Sequence, residues 1–163
     1  MAISIRRYSA ADDAKLWDML RPVFRAGDTY AIDPEISEDA ARAYWCAPNK
    51  QTFVAEDVDG TVLGTYYLVA NFAGNADHIC NCGYVTAAAA QGRGVALAML
   101  AHSLLAAREA GFTAMQYNCV VSTNTRAVAL WQAHDFEIIG TLPLAFRHPR
   151  EGLVDAHVMF RHL

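Results

Sequence analysis

The chain has 163 residues, 54% of them apolar and 18% charged, with a formal net charge of −4. That length holds one domain with a real core, and the composition excludes a disordered segment. The acidic balance leaves no basic footprint for nucleic acid, and no run approaches the ~20 apolar residues of a membrane span. Four cysteines are present, Cys46, Cys80, Cys82 and Cys119. Cys80 and Cys82 form C-x-C and no histidine cluster completes a ligand set, so no metal is expected. We read the cysteines as buried thiols of a cytoplasmic protein. The first residues alternate Ile3 and Ile5 before Arg6-Arg7, unlike the charge-then-apolar order of a signal peptide.

In chain order, Ile3 to Arg7 reads as a short strand. Ser9 can cap a helix whose Leu16, Met19, Leu20, Val23 and Phe24 recur at helical spacing, with Gly27 closing it. Asp28 to Pro34 is a loop, and Ser37 caps a short helix through Trp45. Thr52 to Asp57 and Thr61 to Ala70 are strands joined across Asp59-Gly60, a hairpin in which both central residues are expected at positive φ. Asp77 to Thr86 is a fourth strand. Val95 to Ala110 is a helix closed by Gly111, and Phe112 to Val121 a fifth strand. Ser122 or Thr123 caps a helix carrying Ala127, Leu130 and Trp131. Phe136 to Leu142 and Val154 to Arg161 complete the set. The order β-α-α-β-β-β-α-β-α-β-β is an α/β sheet domain, and residues 1–163 form a single domain.

One stretch carries chemistry at the backbone level. Gln91-Gly92-Arg93-Gly94-Val95-Ala96 lies between a strand and a helix. A helix start offers unpaired N–H groups and the positive end of the helix dipole, and glycine lets an anion approach closely. Arg93 adds a cation. A plain tight turn remains the alternative on glycine spacing alone. A dinucleotide fingerprint is excluded because Leu97 brings no third glycine, and no Gly-Lys-Ser/Thr follows to make a P-loop.

Gln91 to Ala96 resembles the Q/R-x-x-G-x-G/A pyrophosphate motif of the GNAT acetyltransferase superfamily. Asn124, Ala127, Leu130, Trp131, Phe136 and Gly140 are similar to its second motif. The resemblance covers essentially the whole chain. It implies the GNAT fold, a mixed sheet of about seven strands splayed between strands four and five. It implies transfer of acetyl from acetyl-CoA to the amine of a small molecule, without nucleic acid or membrane, in a homodimer. Backbone N–H groups around Tyr84, Val85 and Thr86 would hold the pantetheine and polarise the thioester. Gln91, Gly92, Arg93, Gly94, Val95, Ala96 and Asn124 would bind the rest of the cofactor.

A narrower likeness extends over Thr52 to Asp57, Met115 to Thr125 and Ala145 to Pro149 with Val154 to Ala156. These stretches are similar to a branch that acetylates azetidine-2-carboxylate and related proline analogues. Other amines (an antibiotic or a protein N-terminus) and a non-catalytic acetyl-CoA sensor stand as alternatives. Trp131 departs from the family, which often has a Tyr acid there. Ala88 stands in place of Pro, and Asp135 in place of Gly.

On the acceptor side, Asn81 and Asn118 sit inside strands, where Asn is poorly suited. Each must find partners for a donor and an acceptor. They are expected to hold the substrate, with Asn118 orienting the amine; satisfying neighbouring backbone is the alternative. By the resemblance, Tyr30 belongs to a loop that lines the acceptor site. Arg147 could reach the same place or a partner subunit. Candidates for a general base are Glu56, Tyr66, Tyr67 and His78, with water as the fallback.

Overall fold

The computed structural model describes residues 2–163. Its strands are β1 (Ser4–Arg7), β2 (Gln51–Glu56), β3 (Val62–Ala70), β4 (Ile79–Thr86), β5 (Ala114–Val121), β6 (Glu137–His148) and β7 (Gly152–His162). Its helices are α1 (Asp13–Ala26), α2 (Glu38–Trp45), α3 (Val95–Glu109) and α4 (Thr125–Gln132). The seven strands form one sheet in the order β1-β2-β3-β4-β5-β7-β6. All neighbours are antiparallel except β4 and β5. This is the expected α/β fold and element order.

Helices cover both faces of the sheet. Leu16, Met19, Leu20 and Phe24 of α1 and Ala41 and Trp45 of α2 pack on one face with Val54, Tyr67 and Val85. On the other, Val95, Met99, Leu100 and Leu104 of α3 and Trp131 of α4 pack with Tyr66, Cys82 and Tyr117. A strand covered on both sides reads as a continuous apolar run rather than an alternation, which is why Val62 to Leu68 is buried throughout. The helix starts follow local chemistry. Ser37 Oγ accepts from Ala40 N at 3.2 Å, and Gly27 ends α1 at φ 64°.

Four local expectations are corrected. At the β2–β3 turn only Gly60 has positive φ. Gly60 N donates to Asp57 O, and Asp57 Oδ1 accepts from the N–H groups of Asp59 and Thr61. The longer turn and a register shift at Ala55/Glu56 absorb the twist that a two-residue turn would need. The N-cap of α4 is Asn124, not Ser122 or Thr123: its Oδ1 accepts from Ala127 N at 3.3 Å. The last two strands run much further than their apolar cores suggest and meet in a hairpin. Cys119 is exposed rather than buried, because β5 loses register between Tyr117 and Val120. Asp135, in the place of a family glycine, adopts φ 64°, a conformation Asp tolerates better than most residues.

Candidate functional site

The site arises where β4 and β5 part. Their parallel pairing covers only Ile79↔Ala114 and Cys80↔Met115. Beyond it the strands diverge, and the backbone of β4 is left facing an opening. Alternation along the strand decides which groups face it. Ile79 O and Ala87 N bond toward β3, while His78 O accepts from Thr113 N and Tyr84 O accepts from Tyr30 OH. The N–H groups of Tyr84 and Thr86 therefore face the opening.

Two cavities occupy it. One, of about 490 Å³, is lined by Thr86, Gln91, Gly92, Gly94, Val95 and Ala96 together with Arg126 and Leu130. The other, of about 340 Å³, is lined by Tyr30, Tyr44, Tyr67, Asn81, Asn118 and Cys119, among others. Tyr84, Asn124, Ala127 and Trp131 line both.

In the larger cavity the glycine loop presents unpaired backbone N–H groups at a helix start, an arrangement able to hold an anion. Gly92 and Gly94 hold φ 75° and 79°, and Gly94 is the N-cap of α3. A β-carbon at either would meet nothing within 4 Å, so glycine is required there for conformation rather than space. The N–H groups of Val95, Ala96 and Leu97 in the first turn have no intrahelical carbonyl to bind. No acidic residue occupies that turn. Arg93 is exposed on the loop but does not line the cavity. Arg126, in the first turn of α4, does line it and was not singled out from the sequence. Val85 does not line it: its side chain is buried against α1 and α2 and it pairs with Thr65 of β3.

The smaller cavity is aromatic and uncharged. Asp, Glu, His, Lys and Arg are all absent from its lining among the described residues. Asn118 Nδ2 donates to Asn71 Oδ1, and Asn71 Nδ2 donates back to Asn118 Oδ1 at 3.0 Å. Gln116 adds a donor to the same oxygen at 2.9 Å. Asn118 is thus held in place from two sides. Asn81 makes no side-chain hydrogen bond among the described residues and lines the cavity. Tyr30 also lines it, but its hydroxyl donates to Tyr84 O at 2.8 Å, tying the loop after α1 to β4.

Trp131 stacks obliquely on Tyr84 and Tyr117, at 5.2 and 5.0 Å between centroids. Tyr84 OH lies 2.7 Å from Ser103 Oγ and 3.1 Å from Tyr117 OH. Desolvation pushes both phenols well up, so they stay protonated. Burial also raises the Cys82 and Cys119 thiols and pushes Cys80 up to about 12, which leaves no ready thiolate nucleophile.

Several expected residues lie elsewhere. Arg147 is exposed near the end of β6 and lines neither cavity. Arg150, in the following turn, instead reaches Asp28 at 3.8 Å. Of the candidate bases, Glu56 pairs with Arg6 and Tyr66 bonds His102 Nδ1 at 2.6 Å. His78 precedes β4 and lines neither cavity. Tyr67 alone among them lines the smaller cavity.

A family model described as the acetyltransferase (GNAT) family matches residues 14–136. The chain belongs to the acetyltransferase (GNAT) family. It is an acetyl-CoA-dependent N-acetyltransferase. It is 28% identical over 152 residues to the N-acetyltransferase aca1 of Schizosaccharomyces pombe, covering 83% of this chain and 73% of that protein. A GCN5-related N-acetyltransferase from Kribbella flavida superposes with a TM-score of 0.95 at 43% identity, over 99% of this chain and 98% of the other. A phosphinothricin acetyltransferase from Sinorhizobium meliloti, solved with AcCoA, shares the fold with a TM-score of 0.86 at 23% identity. The match covers all of this chain (100%) and 89% of that one.

Proposed function

We propose that this GNAT enzyme, acting as a single domain over residues 1–163, acetylates the amine of a small amino or imino acid. The observation that carries this reading is the meeting of two unlike cavities at Tyr84, Asn124, Ala127 and Trp131. One is a backbone anion cradle and the other a small, neutral, hydroxyl- and amide-lined chamber. A donor with a long phosphorylated tail fits the first, and a compact acceptor the second.

Acetyl-CoA would lay its pyrophosphate on the N–H groups of Gly92, Gly94, Val95 and Ala96, since those of Gln91 and Arg93 already donate to Ala88 O and Ala90 O, with the Arg93 and Arg126 side chains near the charge and Asn124 beside the pantetheine. The Tyr84 N–H, facing the opening, would polarise the thioester carbonyl and hold the developing oxyanion. The amine nitrogen then attacks the carbonyl carbon, the new C–N bond forms, and the C–S bond breaks. Asn81, whose side chain has no partner among the described residues, would accept the amine N–H and orient that nitrogen, and Asn118, clasped by Asn71 and Gln116, keeps one Nδ2 hydrogen to donate to an oxygen of the acceptor. Water takes the amine proton. The thiolate leaves without a side-chain acid, since a thiol of ordinary pKa near ~8.5 is a tolerable leaving group.

The absence of carboxylates from the described lining disfavours polyamine or aminoglycoside acceptors, which need several anionic partners. Proline-like imino acids such as azetidine-2-carboxylate suit the chamber's size, and the sequence likeness to that branch supports them. We also propose a homodimer through β6. That edge strand exposes Ile139, Leu142 and Leu144, and an uncovered apolar edge invites strand pairing. The activity is tested by thiol release from acetyl-CoA with a panel of amines. Acetylation confined to amines without a nearby carboxylate would overturn the amino-acid assignment.

A further inference from the structure

The amino-acid reading leaves one question: what recognises the carboxylate in a chamber lined by no cation? Tyr44 and Tyr67 provide the answer. They meet edge to face, 6.2 Å between centroids, in the chamber wall. Their hydroxyl oxygens stand 3.4 Å apart. O–H···O bonds cluster at about 2.7–2.8 Å, so neither proton is firmly held by the other phenol. Tyr67 OH has no further partner among the described residues. Burial drives the Tyr67 phenol up, so it keeps its proton and acts as a donor rather than a base.

Behind this pair lies Lys50. Its Nζ sits 3.7 Å from the Tyr44 ring centroid and 4.0 Å from that of Tyr67. It donates to Tyr44 O at 2.6 Å. It is half-buried and has no ion-pair partner among the described residues. Its charge is thus uncompensated, and it lies directly behind the two rings. Gly83 makes the arrangement possible. A β-carbon there would fall 2.6 Å from Tyr67 Cε1 and 3.0 Å from its oxygen. The strand opposite must be bare for the ring to lie across it.

Resting on the amino-acid reading, we propose that the Tyr44 and Tyr67 hydroxyls bind the acceptor's carboxylate, with the Lys50 ammonium supplying the countercharge from behind their rings. The cation repels a second positive charge and favours an anion at the two hydroxyls. The two phenol hydroxyls then provide the directional bonds. Lys50 touches no substrate in this account; it acts through the two rings as a positioning residue.

The test is calorimetric binding to CoA-saturated protein, using azetidine-2-carboxylate and L-proline against their carboxamides. Wild type should bind the carboxylates about tenfold or more tightly than the carboxamides, the scale of one charge-assisted hydrogen bond. Tyr67→Phe and Lys50→Met should each weaken the carboxylates about tenfold and leave the carboxamides unchanged. Lys50→Arg should restore part of the preference. Equal binding of both classes, or carboxylate binding indifferent to both substitutions, overturns the proposal; so does the absence of any binding. Because no turnover is required, these outcomes are separate from thiol release, whose failure across all amines would instead overturn the transferase reading.

Discussion

Gly83→Ala is the most revealing single change, because it adds one methyl group and touches one ring. The new β-carbon would stand 2.6, 2.8 and 3.0 Å from Cε1, Cζ and the oxygen of Tyr67. That ring cannot easily step aside. It is 5% exposed and packs edge-on against Trp45 at 4.9 Å. Overpacking of this kind costs about 1–3 kcal/mol. For a domain of this size each kcal/mol lowers Tm by roughly 2–4 °C, so a fall of about 4–8 °C is expected from the middle of that range. The acceptor KM should rise, while the KM for acetyl-CoA, whose proposed cradle lies at the start of α3, should not. Scanning calorimetry and steady-state kinetics read both. In a Tyr67→Ala background the same substitution should cost less than about 0.5 kcal/mol, because the partner of the clash is gone. A Gly83→Ala protein with unchanged Tm and unchanged acceptor KM would refute the close packing of this ring on β4.

Asn124→Ala should cost about 1 kcal/mol in urea unfolding through loss of the α4 cap, and should also raise the KM for acetyl-CoA. Asn71→Ala releases Asn118 without entering the chamber, and should lower kcat several-fold with little change in Tm. Asp12 is 3% exposed and accepts two 2.9 Å bonds from Arg6, which holds its carboxyl well below the usual range. A depressed folded pKa stabilises above the unfolded value and is lost as pH falls toward the folded one. Asp12→Asn should therefore cost about 2 kcal/mol near neutral pH, less than a fully buried pair because Arg6 is 40% exposed, and the gap should close in acid. Burial pulls Lys50 down to about 8, so its positive charge is lost as pH rises through that value. The neighbouring Tyr67 and Cys46 are pushed up by burial and stay neutral there. The preference for carboxylate over carboxamide should fade above about pH 8 in wild type and be flat in Lys50→Met.

The glycine loop at the start of α3 was legible because its parts are contiguous. Gly92, Gly94 and the start of α3 form one local pattern of glycine and helix, and local backbone chemistry is what a sequence records most directly. Asn81 and Asn118 were legible as misfits in strands. Tyr30 was also placed on this side, and Tyr67 entered as a candidate base rather than as a wall of the chamber. Tyr44 and Cys82 sit in stretches that carry no such signal, and only the sheet and α2 bring them together with Tyr67. Gly83 carried a faint signal, since a glycine inside a strand often marks a close approach. Arg147 and Arg150 show the limit from the other side. Two residues separate them, and the course of the β6–β7 hairpin, set by a register shift between Leu142 and Phe146, decides which reaches Asp28.

The measurement closest to the central claim is time-resolved thiol release from acetyl-CoA with azetidine-2-carboxylate, proline analogues, common amino acids and polyamines, with product mass read in parallel. The account predicts release matched one to one by N-acetylated amino or imino acid, and no acceleration by polyamines. Tight acetyl-CoA binding with no release above the hydrolysis blank would contradict it.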